Sequence, residues 1–238
     1  AVGIVGNVEN LGLEGTAVQV ERTHIVTDGF GRTGEPGVYA IGDVAGPPML
    51  AHKGEREGVI VAEIVAGQHH HPINYGNIPN CTYCSPEVAS IGLTEAQCKE
   101  KKLDYKVGKF PFSANGRART AGETEGFVKI IRDAKYGEIL GAHIVGAHAT
   151  EMIHELAVAR ENEYTVEEVD LAVHAHPTLS ESIAEAALAR VRPGDPPVAD
   201  MSVMLTPSTF QVPWSFAVPL PTYCDCWPDS LPPTLIQP

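Results

Sequence analysis

Long apolar runs are missing from this sequence. Nowhere do about 18 consecutive hydrophobic residues occur, although 43% of the 238 residues are hydrophobic. A membrane-spanning helix is not expected, and this hydrophobic share suits a packed core in one large domain or two ordinary ones. Positive charge is also scarce. Seventeen lysines and arginines stand against thirty aspartates and glutamates, a formal net charge of −13 at pH 7, and the acidic residues are spread along the chain. A phosphate backbone would be repelled, so nucleic acid is not expected as a partner. The opening AVGIVGNVEN lacks the charged-then-apolar layout of a secretory signal, and a soluble, intracellular chain is expected.

Cysteine is too irregular for a disulfide framework. The five are Cys81, Cys84, Cys98, Cys224 and Cys226, an odd number at uneven spacing. Cys81 and Cys84 have CxxC spacing, but they fall in what reads as a strand, where side chains three apart point to opposite faces. No helix start follows them to lower a thiol pKa, so packing thiols are expected. The run His69-His70-His71 sits between the helix-ending Gly67 and Pro72. With no carboxylate or cysteine at ligand spacing it reads as a solvated turn, and no metal site is expected.

What is present organises the chain in two textures. Residues 23–27 alternate and run into a turn at Asp28-Gly-Phe-Gly, and residues 37–42 read as a short apolar strand closed by Asp43. A helix follows Pro47-Pro48 and stops at Gly67; its expected core face is Leu50, Gly54, Val61 and Val65, with Lys53, Glu55, Arg56 and Glu63 outward. Gly54 and Gly58 inside it signal the close approach of another surface. Residues 81–91 then read as a strand interrupted at Ser85-Pro86, and Thr94-Glu-Ala-Gln97 opens a short helix with a capping box. Residues 105–112, 126–132 and 138–145 read as three more strands, the last two joined by a turn over 133–137. Helices follow at 151–160, with Met152, Ile153, Leu156 and Ala157 on one face, and after the capping box Thr165-Val-Glu-Glu168. Strands followed by helices suggest an α+β unit with an antiparallel sheet. From 191 to 238 periodicity ends, proline is frequent, lysine is absent and both tryptophans, Trp214 and Trp227, occur. That stretch reads as a tail, disordered or foreign to the domain, with the tryptophans keeping a docked-peptide role open.

Four stretches, VYAIGDVAGPPMLAHKGEREG, CSPEVASIGLTEAQ, LGAHIVGAHATEMIHE and HAHPTLSESIAEAAL, succeed one another in the chain. Together they resemble the C-terminal half of the dihydrolipoamide dehydrogenases, within the flavin-dependent pyridine nucleotide-disulfide oxidoreductases. The resemblance implies an α+β interface (dimerisation) domain with an antiparallel sheet and flanking helices over 77–190. Before it, residues 1–75 would be the end of a nicotinamide domain and the C-terminal part of an FAD-binding α/β domain. MLAHK joined to HAHPTLSE favours the lipoyl branch over mercuric or glutathione reductases. No strand-borne GxGxxG phosphate cradle and no CxxxxC redox pair is read, so a fragment is expected. The alternative is a non-catalytic dimerisation or interaction module. Tyr83-Cys-Ser-Pro86 and Lys53-Gly-Glu-Arg56 depart from the family's commoner Tyr-Thr-His-Pro and Lys-Ala-Glu-Asp.

The chemistry concentrates in HAHPTLSE, residues 174–181. Thr178 and Glu181 match the S/T-x-x-E capping box, which explains the glutamate but not His176. A histidine fixed by the adjoining Pro177, with a carboxylate accepting from one ring nitrogen, would leave the other nitrogen to exchange a proton. The resemblance implies that His176 is the acid/base and Glu181 its orienter in thiol-disulfide exchange, oxidising dihydrolipoamide with NAD+ through FAD. It also implies a homodimer in which this histidine reaches the other subunit's flavin and disulfide. His174 is read as a cation at a helix C-terminus. Asp43 can accept from a polyol hydroxyl, and the resemblance assigns it to the flavin's ribityl chain. The resemblance likewise sets Met49, Leu50, Ala51 and His52, where free amides and helix dipole face developing negative charge, beside the flavin. The implied partner is the lipoyl domain of a 2-oxo acid dehydrogenase or glycine cleavage complex, in the cytoplasm or, in a eukaryote, the mitochondrial matrix.

Overall fold

The structure, a computed structural model, describes residues 3–189. The expected tail over 191–238, with Trp214, Trp227, Cys224 and Cys226, lies outside the described residues.

The first part is built on one helix. A minimal ribbon pairs β1 (Val20–Glu21) with β2 (His24–Ile25), so only part of the strand expected over 23–27 is paired. Asp28 then holds a turn, its Oδ1 accepting from the Phe30 and Arg32 amides at 2.8 and 3.0 Å. The spacing GxGxxG does occur here, at Gly29, Gly31 and Gly34 soon after β2, which corrects the expectation that no such spacing is carried by a strand. The next paired element is an isolated bridge between Arg32 and Tyr39, not a helix, so this loop has no helix N-terminus to hold a pyrophosphate. The strand expected over 37–42 is also corrected. Beyond that bridge no described residue pairs with it, and Val38 and Ile41 stay exposed. The chain instead makes a 3-10 turn, Gly42–Ala45, and enters α1 (Ala51–Val65).

Helix α1 ends as its glycine dictates. Gly67 takes φ 79° and donates to Ile64 O at 2.9 Å, while Gln68 donates to Glu63 O at 2.9 Å, the paired bonds of a Schellman stop. Its buried face differs from expectation. Lys53, Glu57 and Ile60 are buried, whereas Val65 is 65% exposed. The close approach expected at Gly54 and Gly58 is present, because a Cβ on Gly54 would lie 3.1 Å from Gly42 Cα and one on Gly58 3.3 Å from Ile41.

The second part is a five-stranded antiparallel sheet of β3 (Asn80–Thr82), β4 (Val88–Gly92), β5 (Tyr105–Pro111), β6 (Phe127–Asp133) and β7 (Ile139–Val145), in the order β3-β4-β7-β6-β5. The four expected strand regions all appear, the first as the β3–β4 pair. Cys84 lies past the end of β3, so the two cysteines do not share a strand as expected. Register aligns Ala89 with Ile144 and Val128 with Ile144, and sets Ala142 between Ile91 and Ile130, which puts one continuous apolar face against the helices. Between the strands lie α2 (Glu95–Glu100) and a helix not expected from the sequence, α3 (Gly116–Ala121). After β7 come α4 (Ala149–Glu161), α5 (Val166–Leu171) and α6 (Glu181–Leu188). Helix α4 covers β4 and β7 and α6 covers β5 and β6, burying Ile153, Leu156, Ile183 and Ala187.

Caps set where these helices begin. The expected capping boxes are formed at Thr94–Gln97 and Thr165–Glu168. Helix α4 has no cap of its own, and Glu87 from the end of the β3–β4 turn takes that place, its Oε2 accepting from the Thr150 amide at 3.0 Å and hydroxyl at 2.7 Å. Those bonds hold the Glu87 carboxyl below the ordinary carboxylate range.

Helix α6 can lie on β5 only because residue 108 has no side chain. A Cβ there would collide with the backbone carbonyl of Ala186. Gly108→Ala is therefore expected to lower stability by at least the ~1–3 kcal/mol of a typical overpacked core, since a backbone carbonyl cannot rotate away. Urea unfolding of the full chain measures it, and an unchanged midpoint would show that α6 is held by something other than this contact.

Candidate active site

His176 and Glu181 are brought together by the entry into α6. Glu181 is the first residue of that helix, and the two halves of its carboxylate have separate duties. Oε1 lies 2.8 Å from His176 Nδ1, and Oε2 accepts from the Thr178 amide at 2.8 Å. The two readings of HAHPTLSE, cap and orienter, thus coexist in one side chain. The box is half made, because the Thr178 hydroxyl turns away and donates to Ala175 O at 2.7 Å. An ionised carboxylate only accepts, so His176 must carry its proton on Nδ1 when neutral. Nε2 is then a bare acceptor, on a side chain 77% exposed.

The neighbouring His174 has the opposite character. Its side chain is 10% exposed, with Nε2 at 2.7 Å from Glu155 Oε1 and Nδ1 at 2.8 Å from Ala172 O, the residue that closes α5. Both ring nitrogens meet acceptors, so only the imidazolium satisfies both. Burial by itself pulls this imidazole down, but the bonds to Glu155 and to the Ala172 carbonyl, with the charges of Glu155 and Glu181, raise it above the ordinary histidine value. The helix C-terminal placement read from the sequence holds, with Glu155 added.

The other predicted residues line the approach to α1. Asp43 lies in the 3-10 turn with an exposed carboxylate that makes no hydrogen bond to any described residue. Met49 and Leu50 precede the helix, and the Ala51 and His52 amides begin it without a backbone acceptor among the described residues. The His52 ring turns elsewhere, with Nε2 at 2.9 Å from Pro79 O. No hydrogen bond joins this group to His176 or Glu181 within the described chain.

Beneath the Asp43 turn lies a network that the sequence reading missed. Lys53, expected outward, is 1% exposed. Its Nζ donates to Gly42 O at 2.9 Å and Gly46 O at 2.8 Å and lies 3.2 Å from Glu57 Oε1. Glu57 Oε2 accepts from the Gly42 amide at 2.7 Å, and Oε1 accepts from the Tyr75 hydroxyl at 2.7 Å. Burial first, then the Glu57 bond and charge, push the Tyr75 hydroxyl upward, so it stays protonated and donates. Both peptide ends of the turn carrying Asp43 are thereby pinned. A signal was available: Gly54 and Gly58 announce a close approach, and Lys53 and Glu57 precede them at the same i,i+4 spacing.

The remaining candidates do less. Cys84 is exposed and its thiol faces Pro86 O at 3.0 Å. Burial, then the charges of Glu87 and Glu151, push the Cys81 thiol upward, the reverse of a reactive cysteine. His70 lies 2.8 Å from Glu63.

Lys53→Met would strand the buried Glu57 carboxylate, and a loss of ~3–5 kcal/mol is expected in chemical unfolding of the full chain, partly recovered by adding Glu57→Leu. A loss under about 1 kcal/mol would mean that water reaches Glu57. For His174 the folded value is raised, so its contribution should be complete below the ordinary histidine value of about 6.5 and disappear as pH rises through the folded value. Unfolding midpoints of wild type and His174→Gln, measured from about pH 5 to about pH 9, should converge at the alkaline end. A gap that widens with pH would reverse the assignment.

Known proteins resemble this chain along most of its described length. A family model described as pyridine nucleotide-disulphide oxidoreductase, dimerisation domain, matches residues 78–187. One described as pyridine nucleotide-disulphide oxidoreductase matches residues 1–58. The dihydrolipoyl dehydrogenase of Rhizobium etli is 54% identical over 189 residues, covering 79% of this chain and 39% of that protein. That of Zymomonas mobilis is 52% identical over 190 residues, covering 79% and 41%. Among solved structures, LpdA from Mycobacterium tuberculosis superposes with a TM-score of 0.75 at 31% identity, covering 79% of this chain and 41% of that one. The chain thus spans about 40% of the length of the curated relatives it matches. With both family models in chain order, the antiparallel sheet in place and relatives above 50% identity, this chain belongs to the pyridine nucleotide-disulphide oxidoreductase family.

Proposed function

We propose that this chain supplies the acid/base pair and the dimer interface of a flavin-dependent dihydrolipoyl dehydrogenase. The observation that carries the reading is the 2.8 Å contact between His176 Nδ1 and Glu181 Oε1, which leaves Nε2 open to a substrate thiol. His176 takes the thiol proton at Nε2, and the Nδ1–H bond to the Glu181 carboxylate becomes an ion pair as the imidazolium forms. The thiolate so produced is the nucleophile for disulfide exchange. FAD, when bound, supplies the two-electron acceptor between dithiol and NAD+.

The residues around α1 suit a flavin. Asp43 offers an acceptor that no described residue occupies for ribityl hydroxyls, and Met49, Leu50, Ala51 and His52 bring a helix start, its first amides without an acceptor among the described residues, toward developing negative charge. In this reading residues 1–75 belong to the nicotinamide and FAD-binding domains and 77–190 to the interface domain. The working unit is a homodimer in which His176 serves the partner subunit, and the dithiol arrives on a lipoyl domain. Among the described residues no helix is long and apolar enough to cross a membrane. A cytoplasmic or mitochondrial-matrix location goes with the proposed reaction.

In a complete enzyme carrying these residues, His176→Gln should lower dihydrolipoamide turnover by at least the ~10² that a positioned acid/base supplies. Near-normal turnover would overturn the assignment and favour a dimerisation module without a catalytic part.

A further inference from the structure

We infer that Asn115 is a positioning residue for the His176–Glu181 pair; the inference rests on the reading of His176 as acid/base. Asn115 is 3% exposed and sits where β5 gives way to α3. Its Oδ1 accepts from the Ala118 amide at 2.9 Å, capping α3. Its Nδ2 donates to Thr178 O at 3.0 Å and to Ser182 Oγ at 2.9 Å. Both acceptors belong to the segment that carries the pair.

Thr178 lies between the histidine and the glutamate, and it is held from both sides. Its carbonyl meets Asn115, its amide meets Glu181 Oε2, and its hydroxyl closes back on Ala175 O. Ser182, fully buried, comes directly after Glu181, so the second Asn115 bond pins the first turn of α6. The Ser180 side chain makes no capping bond there, so beside Glu181 the Asn115 amide is what holds that turn. Three bonds from one amide thus tie the α3 start, the Thr178 peptide and the α6 start together.

Capping alone does not account for asparagine. Aspartate or serine caps a helix as well, and only the amide adds two donors to the accepting oxygen at that length. The donors are the part that reaches the pair. Without them the Thr178 carbonyl loses its buried partner, residues 175–180 gain freedom, and the His176–Glu181 contact loosens. Reacting geometry is sensitive to such shifts: about 1 Å can cost on the order of 10² in rate.

The test uses the complete flavoenzyme with Asn115→Asp, which keeps the capping oxygen and removes both donors, and Asn115→Ser, which caps α3 but cannot span to Thr178. Dihydrolipoamide turnover is compared with NADH–ferricyanide turnover, which draws on the flavin and nicotinamide sites and requires no thiol proton. Both variants should lose about tenfold or more in dihydrolipoamide kcat, with a shifted pH–rate profile, while ferricyanide turnover stays within about twofold. In a His176→Gln background the same substitutions should cost almost nothing further, because they act through the histidine. Equal losses in both assays, a full additional loss in the His176→Gln background, or no loss at all would each overturn the inference. A His176→Gln enzyme with normal dihydrolipoamide turnover would instead remove the acid/base reading beneath it. If Asn115→Asp yields no folded enzyme, Asn115→Ser decides by the same comparison.

Discussion

Val128, Ile130, Ala142 and Ile144 stand on one face of the antiparallel sheet, and their side chains have to leave water for the domain to fold. Helices α4 and α6 provide the cover, and the position of every residue in the His176 segment depends on that packing. Helix α6 settles over β5 at Gly108, where its backbone comes nearer than any side chain would allow. With α6 fixed in this way, its first residue, Glu181, is fixed too, and His176 has a carboxylate at a set place to bond. His176 is exposed, yet the geometry of its bond to Glu181 is inherited from the buried contact of α6 with β5.

Carboxylates in this acidic chain are used twice over. Glu181 divides its oxygens between the Thr178 amide and His176, Glu168 closes a capping box around Thr165, and Glu87 reaches across 63 positions of sequence to begin α4 at Thr150. Each satisfies amides that a helix start leaves open. Glu57 does the equivalent for a turn, accepting from the Gly42 amide while paired with Lys53. The negative charge of the chain is therefore partly structural, placed at helix and turn entrances.

The two parts of the described chain are joined through the same kind of contact. Tyr75 bonds Glu57 under the Asp43 turn, and two residues later Asn77 donates to Ala157 O at 3.1 Å and Glu161 at 2.7 Å on α4. Arg160 closes the junction with bonds of 2.8 Å to Gly76 O and to Asn77 Oδ1. A short connection from 75 to 77 thus ties the turn carrying Asp43 to the helix that covers the sheet.

The antiparallel strands, the capping boxes at Thr94 and Thr165, the stop at Gly67 and the pairing of His176 with Glu181 were legible in the sequence. Each depends on residues within a few positions of one another, or on a period of two that survives without knowledge of partners. The failures share the opposite property. The apolar run at 37–42 looked like a strand because hydrophobicity was read without a neighbour to pair with, and the GxGxxG spacing at 29–34 was overlooked, although with no helix after it the loop makes no phosphate cradle. Lys53 looked solvent-facing because charge predicts exposure; only the fold could bring two carbonyls and Glu57 around its ammonium. Asn115 drew no reading from the sequence, because the acceptors of its amide, Thr178 and Ser182, lie 63 and 67 positions away. Local hydrogen-bond chemistry and periodicity were set by the sequence itself, while the buried polar contacts that hold the site in register were decided by tertiary structure, because their partners are distant in the chain.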